Sequence, residues 1–212
     1  MIKIKRFVFN YFQENSYLLY DETNEAVLID SGCMNAEEEQ QIIAFVDEKQ
    51  LKLTHLLCTH LHLDHIFGNE FIFNTYGLYP EAEVKDTTIL PSASTQAKAF
   101  GLQKEIKDIP VKHHLQDHEK IRFGNAELEV LTVPGHSPGS VAFYCEKQKF
   151  VMVGDALFAG SVGRTDLWGG SMDELLTAIQ EKLLSLPKDT IIYPGHGPFT
   201  SVQEELMNNP YI

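Results

Sequence analysis

Seven consecutive residues, Thr59-His60-Leu61-His62-Leu63-Asp64-His65, hold the densest chemistry in the chain. They follow an apolar run, His55 to Cys58, that reads as a buried strand. Residues i and i+2 at a strand end point to the same face, so His60 and His62 can converge on one ion. Asp64 and His65 lie just beyond, where the chain turns, and can aim at a second point nearby. Imidazole and carboxylate together suit zinc, iron or manganese better than calcium. Three further segments each place a ligand-type residue in a Gly-containing turn after an apolar strand. They are LTVPGHSPGS with His136, FVMVGDALF with Asp155, and TIIYPGHGPFT with His196. Loops at strand ends are where a rigid scaffold carries its functional groups. Five histidines and two aspartates are enough for two ions, with an aspartate left to bridge them.

The surrounding pattern supplies such a scaffold. Short strands are expected at Ile2 to Phe9, Ser16 to Tyr20 and Ala26 to Ile29, separated by polar turns. A helix follows, with Asn35 as its cap, Glu37 to Glu39 in the first turn, and Ile42, Ile43 and Val46 on its apolar face. Ile66 to Tyr76 reads as helical. Residues 77 to 120 are the least regular, with one helix near Ser94 to Phe100. Ile121 to Phe123 and Glu127 to Val133 flank Gly124-Asn125 as a hairpin, and Val141 to Cys145 pairs with Phe150 to Val153 in another. Ser171 and Glu174 form a capping box for a helix to Leu186, where Leu175, Leu176, Ile179 and Leu183 share a face. A strand at Thr190 to Tyr193 and a helix near Val202 to Asn208 complete the pattern. Strands and helices alternate, with hairpins between, which argues for a layered α/β protein.

Composition narrows the function classes. At 212 residues the chain can bury a substantial core, and 43% apolar with 22% charged residues is ordinary for a globular protein. Seventeen Lys and Arg against thirty Asp and Glu leave a net charge of −13, which speaks against a nucleic-acid binder. No apolar run approaches the length of a spanning helix, and the N-terminus breaks into polar residues before any signal-peptide core forms. The odd count of cysteines, Cys33, Cys58 and Cys145, with no two close in sequence, is the usage of a reducing compartment. A cytoplasmic location is the expectation.

The sequence resembles the metallo-β-lactamase-fold hydrolases, and most of all the glyoxalase II (hydroxyacylglutathione hydrolase) branch in its short bacterial form. The resemblance runs through LIDSG, THLHLDH, PGHSPGS, GDALFAGSVGRTDL and YPGHGP in the family's order. It implies an αββα sandwich over residues 1–212, with the metal site at one edge between two sheets. It implies two divalent metal ions, Zn2+ first and Fe or Mn as alternatives. One would be held by His60, His62 and His136, the other by Asp64, His65 and His196, with Asp155 as bridge. Asp30, which closes the apolar strand in VLIDSG, matches an Asp that supports the site in this family rather than ligating; a turn or capping role is the other reading. His55 is read as a structural strand residue, and His113, His114 and His118 as solvated.

The implied activity is hydrolysis of a thioester, hydroxyacylglutathione-like, or a related ester. A water shared by two cations becomes a nucleophile near neutral pH, with Asp64 orienting it as a catalytic residue. The substrate is expected to be a small molecule such as a glutathione thioester, with no nucleic-acid or membrane partner. Arg164 is the candidate for binding an anionic substrate group, with Lys112 second. Two family contacts to the thioester are replaced here, by Asp166 and Pro198, which weakens glutathione specificity. About sixteen residues follow His196, so no C-terminal helical glutathione-binding domain is expected. The alternative is a sulfur dioxygenase acting on glutathione persulfide, which that family's likeness in GDALF and GRTD suggests. It would use one iron on His60, His136 and Asp155. The late Gly195-His196-Gly197-Pro198 favours the hydrolase.

Overall fold

The computed structural model describes residues 1–103 and 106–212. Its first sheet comprises β1 (Lys3–Phe9), β2 (Glu14–Tyr20), β3 (Glu25–Ile29), β4 (Lys52–Leu57), β5 (Pro80–Ala82) and β6 (His113–His114), in that spatial order. The second comprises β7 (Lys120–Phe123), β8 (Ala126–Thr132), β9 (Val141–Cys145), β10 (Phe150–Gly154), β13 (Ile191–Pro194) and β14 (Thr200–Ser201), with β14 at one edge and β7 at the other. A small ribbon of β11 (Leu157–Phe158) and β12 (Ser161–Val162) follows β10.

Period-2 alternation explains the layering. Tyr17, Leu19, Val27 and Ile29 face inward from the first sheet and meet Val130, Val141, Phe143 and Met152 from the second. The intervening Leu18 and Leu28 point outward, against Ile42 and Val46 of α1 (Ala36–Lys49) and Ile72 of α3 (Asn69–Tyr76). On the far side, Leu131, Ala142, Val151 and Val153 pack on Leu175, Ala178, Ile179 and Leu183. Those last residues belong to α6 (Met172–Ala178) and its π-helical continuation, Ile179–Leu183. The result is the expected αββα sandwich. Phe143 is fully buried between the sheets, so Phe143→Ala would cost about 3–5 kcal/mol.

The helix signals act as read. Asn35 accepts from the backbone N–H groups of Glu37 and Glu38, and Ser171 from that of Glu174. Two readings change. The β2 strand starts at Glu14, two residues before the expected Ser16, and Glu14 and Asn15 are buried where a polar turn was expected. The irregular stretch also holds more order than one helix. It contains β5, β6, α4 (Val84–Ile89) and α5 (Ala93–Ala99). Strands of three and two residues are too short for alternation to show. Among the described residues, no helix is long and apolar enough to cross a membrane.

Direction positions the site. β3 runs parallel to β4, and β10 parallel to β13. β8 and β10 are both antiparallel to β9, so they share a direction. Asp30, the THLHLDH loop, His136, Asp155 and His196 therefore follow the carboxyl ends of β3, β4, β8, β10 and β13 respectively.

Candidate metal centre

The loop after β4 brings His60 and His62 to face His136. His62 Nδ1 lies 2.8 Å from His136 Nε2, which lies 3.2 Å from His60 Nε2. All three rings are buried. Next to this trio, the short helix α2 (Leu63–Ile66) carries Asp64 and His65. Asp64 Oδ2 is 3.2 Å from His196 Nε2 and 3.8 Å from His65 Nε2. Asp155 reaches both groups: Oδ2 is 3.7 Å from His136 and 3.4 Å from His196, and Oδ1 is 3.4 Å from His65. In each of the sets His60/His62/His136, Asp64/His65/His196 and His60/His65/Asp155, one ligand atom per residue lies within 4.8 Å of the others.

Hydrogen bonds from behind fix which ring nitrogen faces inward. His136 Nδ1 donates to the Arg164 carbonyl at 2.8 Å, and His196 Nδ1 to the Phe12 carbonyl at 3.0 Å. His65 Nδ1 donates to Asp30 Oδ2 at 2.9 Å. The Thr59 hydroxyl donates to Asp30 at 2.8 Å and so accepts from His60 Nδ1 at 3.0 Å. Each of these four rings thus turns Nε2 toward the cluster, the arrangement in which an outer partner sets tautomer and basicity. Asp30 holds its position in the left-handed region, φ 55°, with its two oxygens gripped by Thr59 and His65. Of its two sequence readings, the structure realises contact with the cluster.

Close packing sets further requirements. A Cβ on Gly195 would strike Asp155 Oδ1 and the His65 ring, so only glycine lets the His196 loop approach. Two buried atoms at the centre, His65 Nε2 and Asp155 Oδ1, have no hydrogen-bond partner. Orphaned buried atoms are costly, and these two face each other in a nitrogen and carboxylate donor set. The residues fit transition-metal ions.

The electrostatics divide the cluster in two. Burial, then neighbouring rings, drives His60 well below its ordinary range, and burial takes His62 down to about 3. Burial also lowers His136. In the second set burial opposes charge too, but Asp155 and Asp64 outweigh it, raising His65 well above normal and His196 to about 10. Burial would raise both carboxylates, yet His65 and then His196 hold Asp64 low and Asp155 well below its usual range.

Several supporting residues carried no sequence signal. Asn15 Nδ2 donates to the carbonyls of Pro194 and Gly197, and the Tyr17 hydroxyl to Pro194, bracing the His196 turn. Asn10 donates to the Asp64 carbonyl. Glu14 is fully buried behind His65, with Oε1 3.9 Å from Nδ1, and burial pushes its carboxyl well above the usual range. Their one hint is position, in or beside the turn between the first two strands.

A cavity of about 210 Å³ opens over the cluster, lined by His62, Asp64, His136, Asp155 and His196 with Phe12, Phe100, Leu167 and Arg164. A larger one of about 330 Å³ lies behind the THLHLDH loop, and none of the seven His and Asp residues lines it. Arg164 is at the cavity rim, but Asp166 occupies its guanidinium at 2.7 and 2.8 Å. Lys112 sits elsewhere, over the Tyr79 ring. Among the described residues the remaining histidines join no metal-ligand set: His55 and His113 share Glu81, each at 2.6 Å, and His118 pairs with Glu129.

The chain is similar to known proteins of one superfamily. The family model described as Metallo-beta-lactamase superfamily matches residues 10–196. Hydroxyacylglutathione hydrolase GloC of Haemophilus influenzae is 34% identical over 95% of this chain and 93% of its own. The human mitochondrial persulfide dioxygenase ETHE1 is also 34% identical, over 92% of this chain and 70% of its own. The crystal structure of TTHA1623 in a di-iron-bound form superposes with a TM-score of 0.86 at 35% identity, covering 98% of this chain and 100% of the other. With its sandwich, its His and Asp cluster at the strand ends and these matches, the chain belongs to the metallo-beta-lactamase superfamily.

Proposed function

We propose that the protein is a binuclear metal-dependent hydrolase of thioesters or related esters. His60, His62 and His136 would hold one ion through ring nitrogens, and Asp64, His65 and His196 the other, with Asp155 shared between them. The observation that carries this reading is the placement of Asp155, within 3.7 Å of ligand nitrogens in both sets. A pair of divalent ions, zinc first, supplies an activated water and a Lewis acid for the substrate carbonyl.

The chain's own residues do the rest. Asp64, on the cavity wall, accepts a hydrogen bond from the attacking water and orients it. Phe12, Phe100 and Leu167 exclude bulk water and pack against the apolar part of the acyl group. A thiolate leaving group needs no obligatory protonation, so the site does not require a separate acid. Arg164 takes an anionic substrate group only after giving up Asp166, which makes glutathione a poorer fit than a less charged carrier. The kinship with GloC supports a thioester substrate.

The equal identity to ETHE1 supports a second reading, a persulfide dioxygenase with one iron on His60, His136 and Asp155. Metal analysis of protein purified without added metal separates the two, combined with assays on lactoylglutathione and glutathione persulfide. Two metal equivalents and thioester hydrolysis are expected. One iron with oxygen uptake on the persulfide would overturn the hydrolase reading.

A further inference from the structure

Asp86 touches none of the seven His and Asp residues, yet it joins the two loops that carry the first trio. It lies in α4 and is 1% exposed. Its Oδ2 accepts from the backbone N–H of Leu61 at 2.9 Å, and Leu61 stands between His60 and His62. The same oxygen accepts from the Ser137 hydroxyl at 2.9 Å, one residue past His136. Its Oδ1 accepts from the Gly139 N–H at 2.6 Å. A Cβ on Gly139 would run into this carboxylate, so glycine is what allows the approach.

The chemistry of the contact is specific. Three donors converge and no acceptor faces the group, which suits an ionised carboxylate, an acceptor at both oxygens. An amide would turn an NH2 toward either Gly139 N–H or the Leu61 and Ser137 donors. Burying a carboxylate with only neutral partners is unfavourable, and burial pushes Asp86 up to about 6 despite its three donors. A position needed only for packing would be served by an apolar side chain. Gln96 holds the same loop from beside it, accepting from Leu63 N–H and donating to the Leu61 carbonyl, but it does not reach the His136 turn.

We propose that Asp86 is a positioning residue for the first metal set: by tying Leu61 to Ser137 and Gly139, it fixes the spacing of His60, His62 and His136. The inference rests on the ligand assignment given above. Because Asp86 contacts neither Asp64, His65 nor His196, its effect falls on one set.

The test is zinc affinity, measured by chelator competition on the full-length protein, together with thermal melting of the metal-free form. His62→Ala and His196→Ala identify which equivalent belongs to which set. Asp86→Asn is expected to weaken the His60/His62/His136 equivalent about ten- to a hundredfold, the usual scale for losing an outer partner of a metal ligand. The other equivalent should change less than about threefold. The absorption of a Co2+-loaded trio should shift in the variant. Ser137→Ala removes one donor of three and should give a smaller loss in the same set; it decides the matter if Asp86→Asn fails to fold. Equal weakening of both equivalents, or unchanged affinity with a lower melting temperature, would reduce Asp86 to a structural residue and overturn the proposal. If the parent takes up a single ion, the binuclear reading falls. Asp86 is then judged on that ion, and an affinity insensitive to Asp86→Asn and Ser137→Ala overturns it.

Discussion

Metal loading should be coupled to protons in one half of the site and not in the other. In the metal-free protein the rings of His60, His62 and His136 are held below their ordinary range, so they are neutral at pH 7 and lose no proton on ligation. His65 and His196 are raised, the latter to about 10, by Asp155 and Asp64 against the effect of burial. Both are protonated at pH 7, and each must release its proton before its nitrogen can ligate. For His196 that displacement costs about 4 kcal/mol at pH 7, taking 1.36 kcal/mol for each of roughly three units. The sign follows: the penalty shrinks as pH rises toward the folded pKa. One pH unit is worth tenfold for each proton released, so the second ion should bind about ten- to a hundredfold tighter at pH 7.5 than at pH 6.5. The first should be nearly indifferent over that range. Calorimetric titration with Zn2+ in two buffers of different ionisation enthalpy counts the protons for each equivalent. One to two protons released with the second equivalent and none with the first is the expected result. Proton release with the first equivalent, or a second affinity flat with pH, would refute the electrostatic division drawn from the carboxylate contacts.

Other perturbations test single contacts. Asp155→Ala removes the carboxylate proposed as the bridge between the two ions, and should lose at least one metal equivalent and nearly all hydrolysis, checked by elemental analysis and turnover. Arg164→Ala should raise KM for an anionic thioester about tenfold with kcat little changed, while Asp166→Asn, which frees the guanidinium, should lower that KM. Neither should affect a neutral ester, and equal losses on both substrates would make Arg164 a loop brace. Asn15→Ala removes two hydrogen bonds to the turn bearing His196 and should cost about 1–3 kcal/mol in denaturant unfolding, with weaker binding of the second ion. A stability loss with both metal affinities unchanged would detach Asn15 from the site.

How much of this was legible depends on how local each signal is. The pair His60 and His62 can be read from spacing, because two residues at a strand end share a face whatever the rest of the chain does. His136, Asp155 and His196 are single residues in turns; their convergence depends on β8, β10 and β13 running in one direction, which no local pattern encodes. Resemblance to a family, not periodicity, linked them to the first motif. The strands were readable where they have four residues or more, as in β7 and β13, and lost where β5 and β6 have three and two; the sandwich they build came from the resemblance. The first two residues of β2, Glu14 and Asn15, read as part of a polar turn for a physical reason. Asn15 is satisfied by the carbonyls of Pro194 and Gly197, far away in sequence, and Glu14 accepts from the Ser16 hydroxyl, so composition alone makes the pair look like a turn.

The supporting contacts share one principle. His136 is oriented by the carbonyl of Arg164, His196 by that of Phe12, His65 by Asp30, and His60 by Thr59, which Asp30 holds in turn. In three of the four, the orienting atom comes from a different loop than the ring it orients. No single loop therefore contains its own geometry, and the cluster takes shape only when the two sheets have packed. This makes Asp30 the point where a small change should spread furthest. Its oxygens serve the Thr59 N–H, the Thr59 hydroxyl and His65 together, and so reach a ring in each metal set. Asp86, by contrast, reaches only the loops of the first. A neutral amide at position 30 should therefore weaken both metal equivalents where one at position 86 weakens one. Asp30→Asn and Asp86→Asn measured side by side give that contrast. Identical profiles would mean that the loops respond as one rigid unit, and that no outer contact acts on a set of its own.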